Sequence, residues 1–424
     1  MLLEDDIPFA RNAQRKCRNT TSITIVDMPC GTGKTTRMLG SFLEDRKYLV
    51  VTPLLSEVDR VLTYATVPFS QPDENHTDRK FGSAISLLER GQNVVTTHVL
   101  YAELAIAAER GLLNDYEIIL DEVPDVASEV GNVSADSWRM VYVDGGFAEV
   151  GHDGRCRPTA KWDEQVDKVG DTLSRRYYSL AKAGCLYLVD GKFFLWTLPP
   201  KLLQVGKSLT VYTFLAEGSM LLAYLRKLGL PFNHQTDLAV DKSFRQKAAT
   251  LITVRSIGGS DAFRWSYTGQ TTSSGRKARE KKVAKALANL RQRELADTPI
   301  ENVMLTCSKE MWFQKGRDIN SGNPKAAGFA KGSRMFSAKW VPNTTRGTND
   351  YRHCTVAVYL WDQYMNPYIQ RWLGLRGDQE SQERYALTEF IQWLYRTAVR
   401  DGQPVTVYVP SERMRRLLNG WLNT

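Results

Sequence analysis

The chain of 424 residues is 42% hydrophobic and carries a net charge of +9, so it can bury more than one core, and two or three domains are expected. The basic balance favours polyanionic partners without identifying one. Six scattered cysteines without a CxxC pair and five unclustered histidines argue against a structural metal or a disulfide framework, and no stretch approaches the ~18 apolar residues of a membrane span, so we expect a cytoplasmic protein without membrane contact.

The first half of the chain alternates short apolar runs with helical patterns, which is typical of a parallel sheet with crossover helices. Apolar residues three and four apart mark the helices between the runs. The predicted strands cover residues 22–26, 48–52, 93–96 and 117–120, and the predicted helices cover residues 35–45, 55–64, 85–90 and 100–110.

The pattern changes between residues 126 and 206, where β-hairpins are predicted at 138–150 and 185–196. The second hairpin turns at Asp190-Gly191, a dipeptide that favours tight hairpin turns. We therefore interpret this region as an insertion or accessory subdomain.

The second half repeats the α/β pattern after a stretch rich in Gly, Ser and Thr at 256–275. We predict two domains, 1–220 and 221–424, with a linker region at 221–275. A strongly basic helix is predicted at 276–295; it is either a solvated face or a surface that binds a nucleic-acid backbone. The predicted fold class is α/β, with parallel sheets in both domains and an inserted, partly β subdomain in the first half. Buried strands are predicted at 303–307, 355–361 and 405–409, and helices at 385–400 and 411–421.

A strand, a tight loop and a helix start follow one another early in the chain. A bound triphosphate needs inward-pointing backbone N–H groups, a helix N-terminus, a lysine for its β and γ oxygens and a hydroxyl for magnesium. Gly31, Gly33, Lys34 and Thr35 supply these groups. Met28 stands where the general motif has glycine, so the alternative is a turn that contains Gly-Lys-Thr by chance. The predicted nucleotide-binding residues are Pro29, Cys30, Gly31, Thr32, Gly33, Lys34, Thr35 and Thr36, and Thr35 is also a predicted magnesium ligand.

Two carboxylates, Asp121 and Glu122, follow the apolar strand predicted at 117–120. Beside the glycine loop, Asp121 would hold magnesium through water, and Glu122 would orient and deprotonate the attacking water. The alternative is a solvated turn at a strand end. Taken with the loop, the pair predicts hydrolysis of a nucleoside triphosphate, with ATP and Mg²⁺ as the cofactors.

Several segments resemble motifs of superfamily 2 (DEAD/DEAH-like) helicases. Asp-Glu-Val-Pro at 121–124 looks like their Asp-Glu-x-x motif, and the glycine loop is similar to their Pro-x-Gly-x-Gly-Lys-Thr form. The overall pattern resembles the compact helicases carried by phages and plasmids. Further similar segments are Val-Thr-Pro-Leu at 51–54, Thr-Thr-His at 96–98, Thr-Arg-Gly-Thr-Asn at 345–349, Gln-Trp-Leu-Tyr-Arg at 392–396 and Ser-Glu-Arg-Met-Arg at 411–415.

The resemblance implies two RecA-like domains with ATP and magnesium bound at their interface and Asn349 among the nucleotide contacts. Gln392 would contact the nucleotide or its water. Arg396, with Arg400 as the second candidate, would reach the γ-phosphate across the cleft. The alternative is that both arginines share the solvated face of one helix. Arg400 lies eight residues after Gln392, which departs from the family spacing of seven. The residues implied to act in catalysis are Lys34, Asp121, Glu122, Gln392, Arg396 and Arg400.

The resemblance also implies a track for nucleic acid along one face of both domains, formed by backbone N–H groups, hydroxyls and basic residues. Each candidate contact is alternatively an ordinary cap at a strand end. Thr213 is the candidate for the coupling motif, displaced from the Asp-Glu pair by the insertion. The candidate nucleic-acid contacts are Thr52, Pro53, Thr97, His98, Thr345 and Arg346.

These features predict an ATP-dependent helicase or translocase in phage or plasmid replication, with replication proteins as partners. DNA is favoured as its nucleic acid, and RNA is the alternative. A phage-encoded enzyme would work in the host cytoplasm. One alternative is a translocase on duplex DNA, or a packaging or remodelling ATPase, that moves without unwinding. Another is a nucleotide-dependent switch that binds a protein partner, for which the arginine-bearing helix of the second domain would be unnecessary.

Overall fold

A computed structural model describes residues 21–75, 79–131, 134–166, 172–259, 263–345 and 347–424. The described chain forms two parallel β-sheets and a smaller, antiparallel region inserted in the first half. The strands, in chain order, are β1 Ser22–Asp27, β2 Lys47–Thr52, β3 Val94–Thr97, β4 Tyr116–Asp121, β5 Ala127–Glu129, β6 Ala148–Val150, β7 Cys156–Pro158, β8 Leu186–Val189, β9 Phe193–Thr197, β10 Ser208–Thr213, β11 Asn233–Thr236, β12 Ile252–Arg255, β13 Val303–Thr306, β14 Lys339–Trp340, β15 Val356–Tyr359 and β16 Val405–Tyr408.

Helices cover the faces of both sheets, because parallel strands are joined by crossover connections. Among the described residues, no helix is both long enough and apolar enough to cross a membrane. The helices are α1 Lys34–Leu39, α2 Leu55–Tyr64, α3 Arg79–Glu89, α4 His98–Glu103, α5 Ala105–Glu109, α6 Ala135–Trp138, α7 Ala160–Gln165, α8 Thr172–Lys182, α9 Met220–Lys227, α10 Leu238–Leu251, α11 Tyr267–Thr271, α12 Arg276–Arg293, α13 Pro367–Trp372, α14 Gln379–Leu394 and α15 Glu412–Leu422.

The first sheet has the order β11-β1-β10-β4-β2-β3, and every neighbouring pair is parallel. The inner strands β2 and β4 are buried almost throughout, as strands covered on both faces must be. Ile25 and Leu49 pack on one face, whereas Val50 and Val95 pack on the other. The carboxyl ends of β1, β10 and β4 therefore lie side by side within a packed scaffold.

The second sheet has the order β12-β16-β15-β13-β14 and is also parallel throughout. Alternate residues of β13 serve two cores: Val303 and Leu305 face the layer that contains α12, whereas Met304 faces the layer that contains α14 and α15. The structure thus confirms the predicted α/β class, with two parallel sheets and an inserted, partly β region in the first half.

The changeover between the sheets lies after the predicted domain boundary at residue 220. β11 still pairs with β1 in the first sheet, whereas β12 belongs to the second. β11 has the polar sequence Asn-His-Gln-Thr and forms an edge. No apolar run marks it, so the sequence pattern does not reveal it.

The inserted region leaves the first sheet at the carboxyl end of β4 and returns through β10, beside the same strand. The hairpin predicted at 185–196 is confirmed as the antiparallel pair β8–β9. Asp190 and Gly191 have φ angles of 52° and 64°, and a two-residue turn of this hand requires positive φ at both positions.

The hairpin predicted at 138–150 is wrong. Residues there continue α6 into the π-helix Arg139–Val143, and β6 pairs with β7 instead. Trp138 and Tyr142, four residues apart, stack with their ring centroids 5.3 Å apart. This helical spacing is hard to distinguish from strand alternation in a short apolar run.

Two predicted helices have different bounds. The helix predicted at 35–45 ends at Leu39, where the Gly40 amide closes the last turn. The helix predicted at 385–400 begins earlier, at Gln379, and ends at Leu394. Arg396 therefore follows the helix, and Arg400 lies in the separate 3-10 turn Ala398–Asp401, so the two arginines do not share the solvated face of one helix.

Candidate nucleotide site between the two sheets

The candidate site lies at the carboxyl ends of three neighbouring strands of the first sheet, β1, β10 and β4. Their register places Asp27 beside Thr213 and Tyr212 beside Asp121. The Met28 amide donates to the carbonyl of Thr213 at 2.9 Å, which ties the start of the glycine loop to β10. In open parallel sheets, ligands bind at these carboxyl ends.

The glycine loop turns sharply between β1 and α1. Gly31 and Gly33 have φ angles of 78° and 81°, a region that glycine occupies without the strain that a Cβ would add. The Thr32 hydroxyl donates to the carbonyl of Pro29 at 2.9 Å, so this side chain serves the loop itself. The conformation directs the chain into α1 at Lys34, as the motif predicts.

Lys34 presents a buried ammonium group to the cleft. The side chain is 8% exposed, and Nζ lies 3.6 Å from Oε1 of Glu122. Within the described residues, Nζ makes no hydrogen bond. A desolvated cation with unused donors is costly unless an anion accepts them, so the position fits a phosphate group.

Thr35 and Asp121 form the oxygen side of the site. The Thr35 hydroxyl donates to Oδ2 of Asp121 at 3.2 Å. Burial raises the pKa of Asp121 to about 6, and the negative charge of Glu122 adds to this rise. A hydroxyl next to a buried carboxylate is the donor set that a hard divalent cation prefers, and its charge would favour ionised Asp121. The residues therefore fit Mg²⁺.

Glu122 has a backbone conformation that is uncommon for a residue with a side chain. Its φ angle is 69°, and its amide donates to the carbonyl of Tyr212 at 2.9 Å. Such strain persists only where the surroundings enforce it, and it clusters at functional sites. Here it holds the carboxylate beside Lys34.

We call the part of the chain built on the first sheet the first unit and the part built on the second sheet the second unit. The second unit closes this site into a cleft of about 690 Å³. Arg396, which is 5% exposed, and Arg400 both line it. A Cβ on Gly31 would lie 3.7 Å from the carbonyl oxygen of Arg400. Desolvation raises the pKa of the Cys30 thiol, whereas Lys34 and the two arginines oppose the rise. Both arginines are thus close to the glycine loop. The lining includes the predicted residues Cys30, Gly31, Gly33, Lys34, Thr35, Thr36, Asp121, Glu122, Asn349, Arg396 and Arg400.

Gln392 does not line the cleft. It is buried, and its Nε2 donates to the carbonyl of Phe214 at 3.0 Å. One turn earlier in α14, the Thr388 hydroxyl donates to the carbonyl of Leu215 at 3.1 Å. In this arrangement Gln392 joins the second unit to the turn after Thr213, and its contact with the nucleotide stays a prediction.

The turn that receives α14 is held from the first unit by Asp27, which sequence reasoning missed. Its two carboxylate oxygens accept from the amides of Leu215 and Ala216, each at 2.9 Å. Nε2 of His234 lies 3.1 Å from the same carboxylate. The signal in the sequence was a carboxylate at the last position of the strand before the glycine loop. Thr213 itself is fully buried at the start of this turn.

Gly218 allows the closest approach of α14 to the turn. A Cβ there would overlap Oγ1 of Thr388 and the carbonyl oxygen of Arg384, and it would lie 2.7 Å from the Arg384 carbonyl carbon. Because backbone atoms cannot swing aside, we expect Gly218→Ala to displace α14, cost about 1–3 kcal/mol of stability and lower ATP turnover. Denaturant unfolding and steady-state hydrolysis measure the two effects. Gly258→Ala is the control, because its Cβ would meet open space; equal results for both variants would contradict the prediction.

The predicted nucleic-acid contacts divide into two groups. Pro53 and His98 line a groove of about 960 Å³ between α4, α5 and the inserted region, with Thr344 of the second unit at its margin. Thr52 is fully buried, and its hydroxyl donates to the carbonyl of Leu54 at 3.1 Å. That hydroxyl is therefore directed into the first unit.

The other predicted contacts are sequence neighbours of residues that line the groove. Thr97 precedes α4 as its N-cap residue, and the Thr345 amide donates to the carbonyl of Pro342 at 3.0 Å. Arg346 lies outside the described residues. Gly347 has a φ angle of 75°, and a Cβ there would lie 2.7 Å from Cγ of Pro53, so this segment of the second unit rests on the first.

Comparisons with known proteins give relatives at low identity. Residues 247–422 match the family model of the YonV C-terminal Rossmann-like domain. The chain is 25% identical over 434 residues to the SPbeta prophage-derived uncharacterized protein YonV of Bacillus subtilis (strain 168), an alignment that covers 94% of this chain and 98% of that protein.

Solved structures with a similar fold include helicases. XPD in its apo form is 13% identical, covers 94% of this chain and 95% of its own, and gives a TM-score of 0.49. S. cerevisiae Dbp5 bound to RNA and ADP BeF3 is 11% identical, with 96% and 84% covered and a TM-score of 0.42. The DUF1998 helicase MrfA bound to DNA is 11% identical, with 95% and 46% covered and a TM-score of 0.35. Membership of superfamily 2 stays a prediction from the motifs, because the TM-scores of these three structures are all below 0.5.

Proposed function

We propose that this protein is a nucleic-acid-dependent ATPase of helicase or translocase type, which binds ATP with Mg²⁺ between its two sheets. The observation that carries the proposal is that Lys34, the Asp121–Glu122 pair and Arg396 meet in one cleft built from both units. A buried ammonium group, a carboxylate pair and an arginine from a second domain are what transfer of a γ-phosphoryl group to water requires. We place the two working domains on either side of the changeover between β11 and β12.

Each residue has one role in this proposal. Lys34 and the loop amides hold the β and γ oxygens, and Thr35 with Asp121 holds Mg²⁺, which supplies charge neutralisation on the phosphates when bound. Glu122 orients the attacking water and accepts its proton. Arg396 stabilises the charge that develops on the γ-phosphoryl oxygens. The remaining proposed contacts are Arg400, beside Gly31, and Asn349, at the cleft margin.

The nucleic acid is proposed to follow the groove lined by Pro53, His98 and Thr344. This groove and the nucleotide cleft share Pro53 and Leu54, so a strand in the groove would touch the segment that also borders ATP. Opening and closing of the cleft would then move the groove margins along the strand. DNA in phage or plasmid replication is the setting we propose, since the curated relative is prophage-derived by name.

The residues of the cleft help to distinguish the two alternative functions, a duplex translocase and a nucleotide-dependent switch. A duplex translocase would use the same residues and differ only in whether strands separate. A nucleotide-dependent switch would not need an arginine from the second unit, yet Arg396 is buried against the glycine loop region. The geometry therefore favours an enzyme that turns over.

The decisive experiment compares ATP hydrolysis without nucleic acid and with single-stranded DNA, duplex DNA or RNA, followed by strand displacement on a tailed duplex. We expect stimulation by single-stranded DNA and displacement of the paired strand. Stimulation by duplex alone, without displacement, would establish the translocase. The absence of stimulation by every nucleic acid would favour the switch and overturn this proposal.

Glu122 and Asp121 are expected to give different defects when only the charge is removed. Glu122→Gln should still bind ATP with Mg²⁺ but lose hydrolysis by about 10²-fold or more, because the proton acceptor is gone. Asp121→Asn should weaken Mg²⁺-dependent binding as well, because Asp121 pairs with Thr35 at the cation position. Nucleotide titrations with and without Mg²⁺, beside single-turnover hydrolysis, separate the two. Loss of binding in Glu122→Gln together with normal turnover in Asp121→Asn would show that the roles are assigned wrongly.

A further inference from the structure

A long irregular segment and the basic helix α12 form one layer on the second unit. α12 buries Val283 and Leu287 and packs on the 3-10 turn Gly328–Ala330. That turn belongs to residues 308–338, a stretch with little regular structure that nevertheless buries Trp312 completely. An irregular segment of this length in a packed domain usually has a function, and its buried anchors give exposed side chains a fixed support.

The net positive charge of this layer equals that of the whole protein. Residues 276–339 carry 15 Lys and Arg against six Asp and Glu, a net charge of +9 that equals the net charge of the full chain. Three of the six acids are already paired, Glu280 with Arg276 at 2.7 Å, Glu294 with Arg255 at 3.2 Å and Asp318 with Lys309. The remaining residues carry no net charge, so the excess of basic residues that favours a polyanion comes from this segment.

The exposed half of α12 is a run of like charges. Lys277, Lys281, Lys282 and Lys285 are exposed and form no ion pair with a described residue. Like charges four residues apart on a helix destabilise it, so the run works against folding unless an anion compensates it. The charges lie on the side away from the buried face, and they are not spread evenly around the helix.

The irregular segment extends this surface. Lys315, Arg317, Lys325 and Lys331 are exposed and likewise make no ion pair within the described chain. Lys325 and Lys331 flank the 3-10 turn on which α12 packs, so the charged segment borders the basic helix. Two neighbouring elements thus present cations without compensating acids.

The surface formed by α12 and the irregular segment lies away from the nucleotide cleft, and the chain continues from it to the margin of the groove. Val303 and Leu305 of β13 support the α12 layer, whereas α14 packs on the opposite face of the sheet. After β14 the chain runs directly to Thr344, at the margin of the groove. A nucleic acid that leaves the groove on the second unit would therefore meet this layer.

We propose that residues 276–339 form a second nucleic-acid-binding surface, which holds the phosphodiester backbone outside the groove. The proposal rests on the proposed function, because it takes nucleic acid as the partner. It assigns no base recognition, since lysines on an exposed surface act as point charges for phosphates. Either the continuing single strand or a flanking duplex supplies this backbone.

The test measures the affinity of the full chain for a single strand, a blunt duplex and a tailed duplex between about 50 and 200 mM salt, the range over which backbone contacts change affinity steeply. Each lysine that contacts a phosphate contributes about 0.7 units to the slope of log affinity against log salt on a single strand and about 0.9 on a duplex. One variant replaces the four exposed lysines of α12 by glutamine, and a second replaces four basic residues of the irregular segment. The control replaces four exposed lysines elsewhere in the chain. These variants are K277Q/K281Q/K282Q/K285Q, K315Q/R317Q/K325Q/K331Q and K192Q/K201Q/K207Q/K242Q.

We expect each surface variant to bind about tenfold more weakly or worse near 100 mM salt, with the slope reduced by about three units if all four residues contact phosphates. The control should bind like the wild type, although it loses the same charge, and none of the three variants should unfold below the wild-type temperature, since removal of the like charges on α12 relieves repulsion. A larger effect on the tailed or blunt duplex identifies the duplex as the bound part, and an equal effect on the single strand identifies the strand. Surface variants that bind like the control would overturn this inference while leaving the proposed ATPase intact, whereas a wild type that binds no nucleic acid would overturn both.

Discussion

Lys34→Ala is expected to abolish ATP hydrolysis, with turnover lowered by about 100-fold or more, as for loss of one preorganised charge at a developing oxyanion. The ammonium group is buried and lies 3.6 Å from Glu122, where the loop would bring the β and γ phosphates. Steady-state phosphate release at saturating ATP and Mg²⁺ measures the effect. Lys201→Ala, at an exposed lysine, is the matched control. Wild-type turnover in Lys34→Ala would refute the site assignment.

A second substitution at this position separates charge from geometry. Lys34→Arg keeps the positive charge, but a planar, bulkier guanidinium cannot take the place of a compact ammonium beside the sharply turned loop. We therefore expect little recovery of turnover, even if nucleotide binding recovers in part. Full recovery would show that any cation suffices there and that the buried setting of Lys34 is unimportant.

The glycine loop and the carboxylate pair could be predicted because their signals are local. A buried strand, two glycines and a lysine at a helix start specify a phosphate-binding loop without knowledge of the rest of the chain. The strand that ends at Asp121 is continuous and apolar, so its presence in a parallel sheet is equally local. That the ends of these strands share one edge follows from the sheet topology alone.

The hydrogen bonds that join the two units could not be predicted from local sequence patterns. The carbonyls of Phe214 and Leu215 accept from Gln392 and Thr388, and backbone carbonyls carry no residue-specific signal. A motif gives the order of residues but not the direction of each side chain. The bond of Gln392 to the carbonyl of Phe214 could therefore not be predicted from the motif. The polar edge strand β11 was missed for a related reason, since it has no apolar alternation to detect.

Arg396→Ala is expected to leave ATP binding largely intact while reducing turnover by roughly 10³-fold or more, as for loss of an arginine finger. Arg396 follows the end of α14, whose Gln392 and Thr388 are bonded to the turn held by Asp27. This connection fixes the arginine relative to the glycine loop in the closed arrangement that the structure shows. Its charge is therefore available to the transition state and contributes little to the first encounter with ATP.

Arg400→Ala is the internal comparison, and a smaller loss is expected there. Arg400 lies in a short 3-10 turn that Asp401 ties to Arg352, with Nε of Arg352 2.9 Å from Oδ1 of Asp401, and it is more exposed than Arg396. Nucleotide affinity and single-turnover rate should be measured for both variants. If Arg396→Ala turned over like the wild type while Arg400→Ala lost activity, the finger would be Arg400. Wild-type turnover in both would mean that neither arginine takes part in the chemistry, and the two-domain motor would have to be abandoned, because its proposed coupling of hydrolysis to closure depends on them.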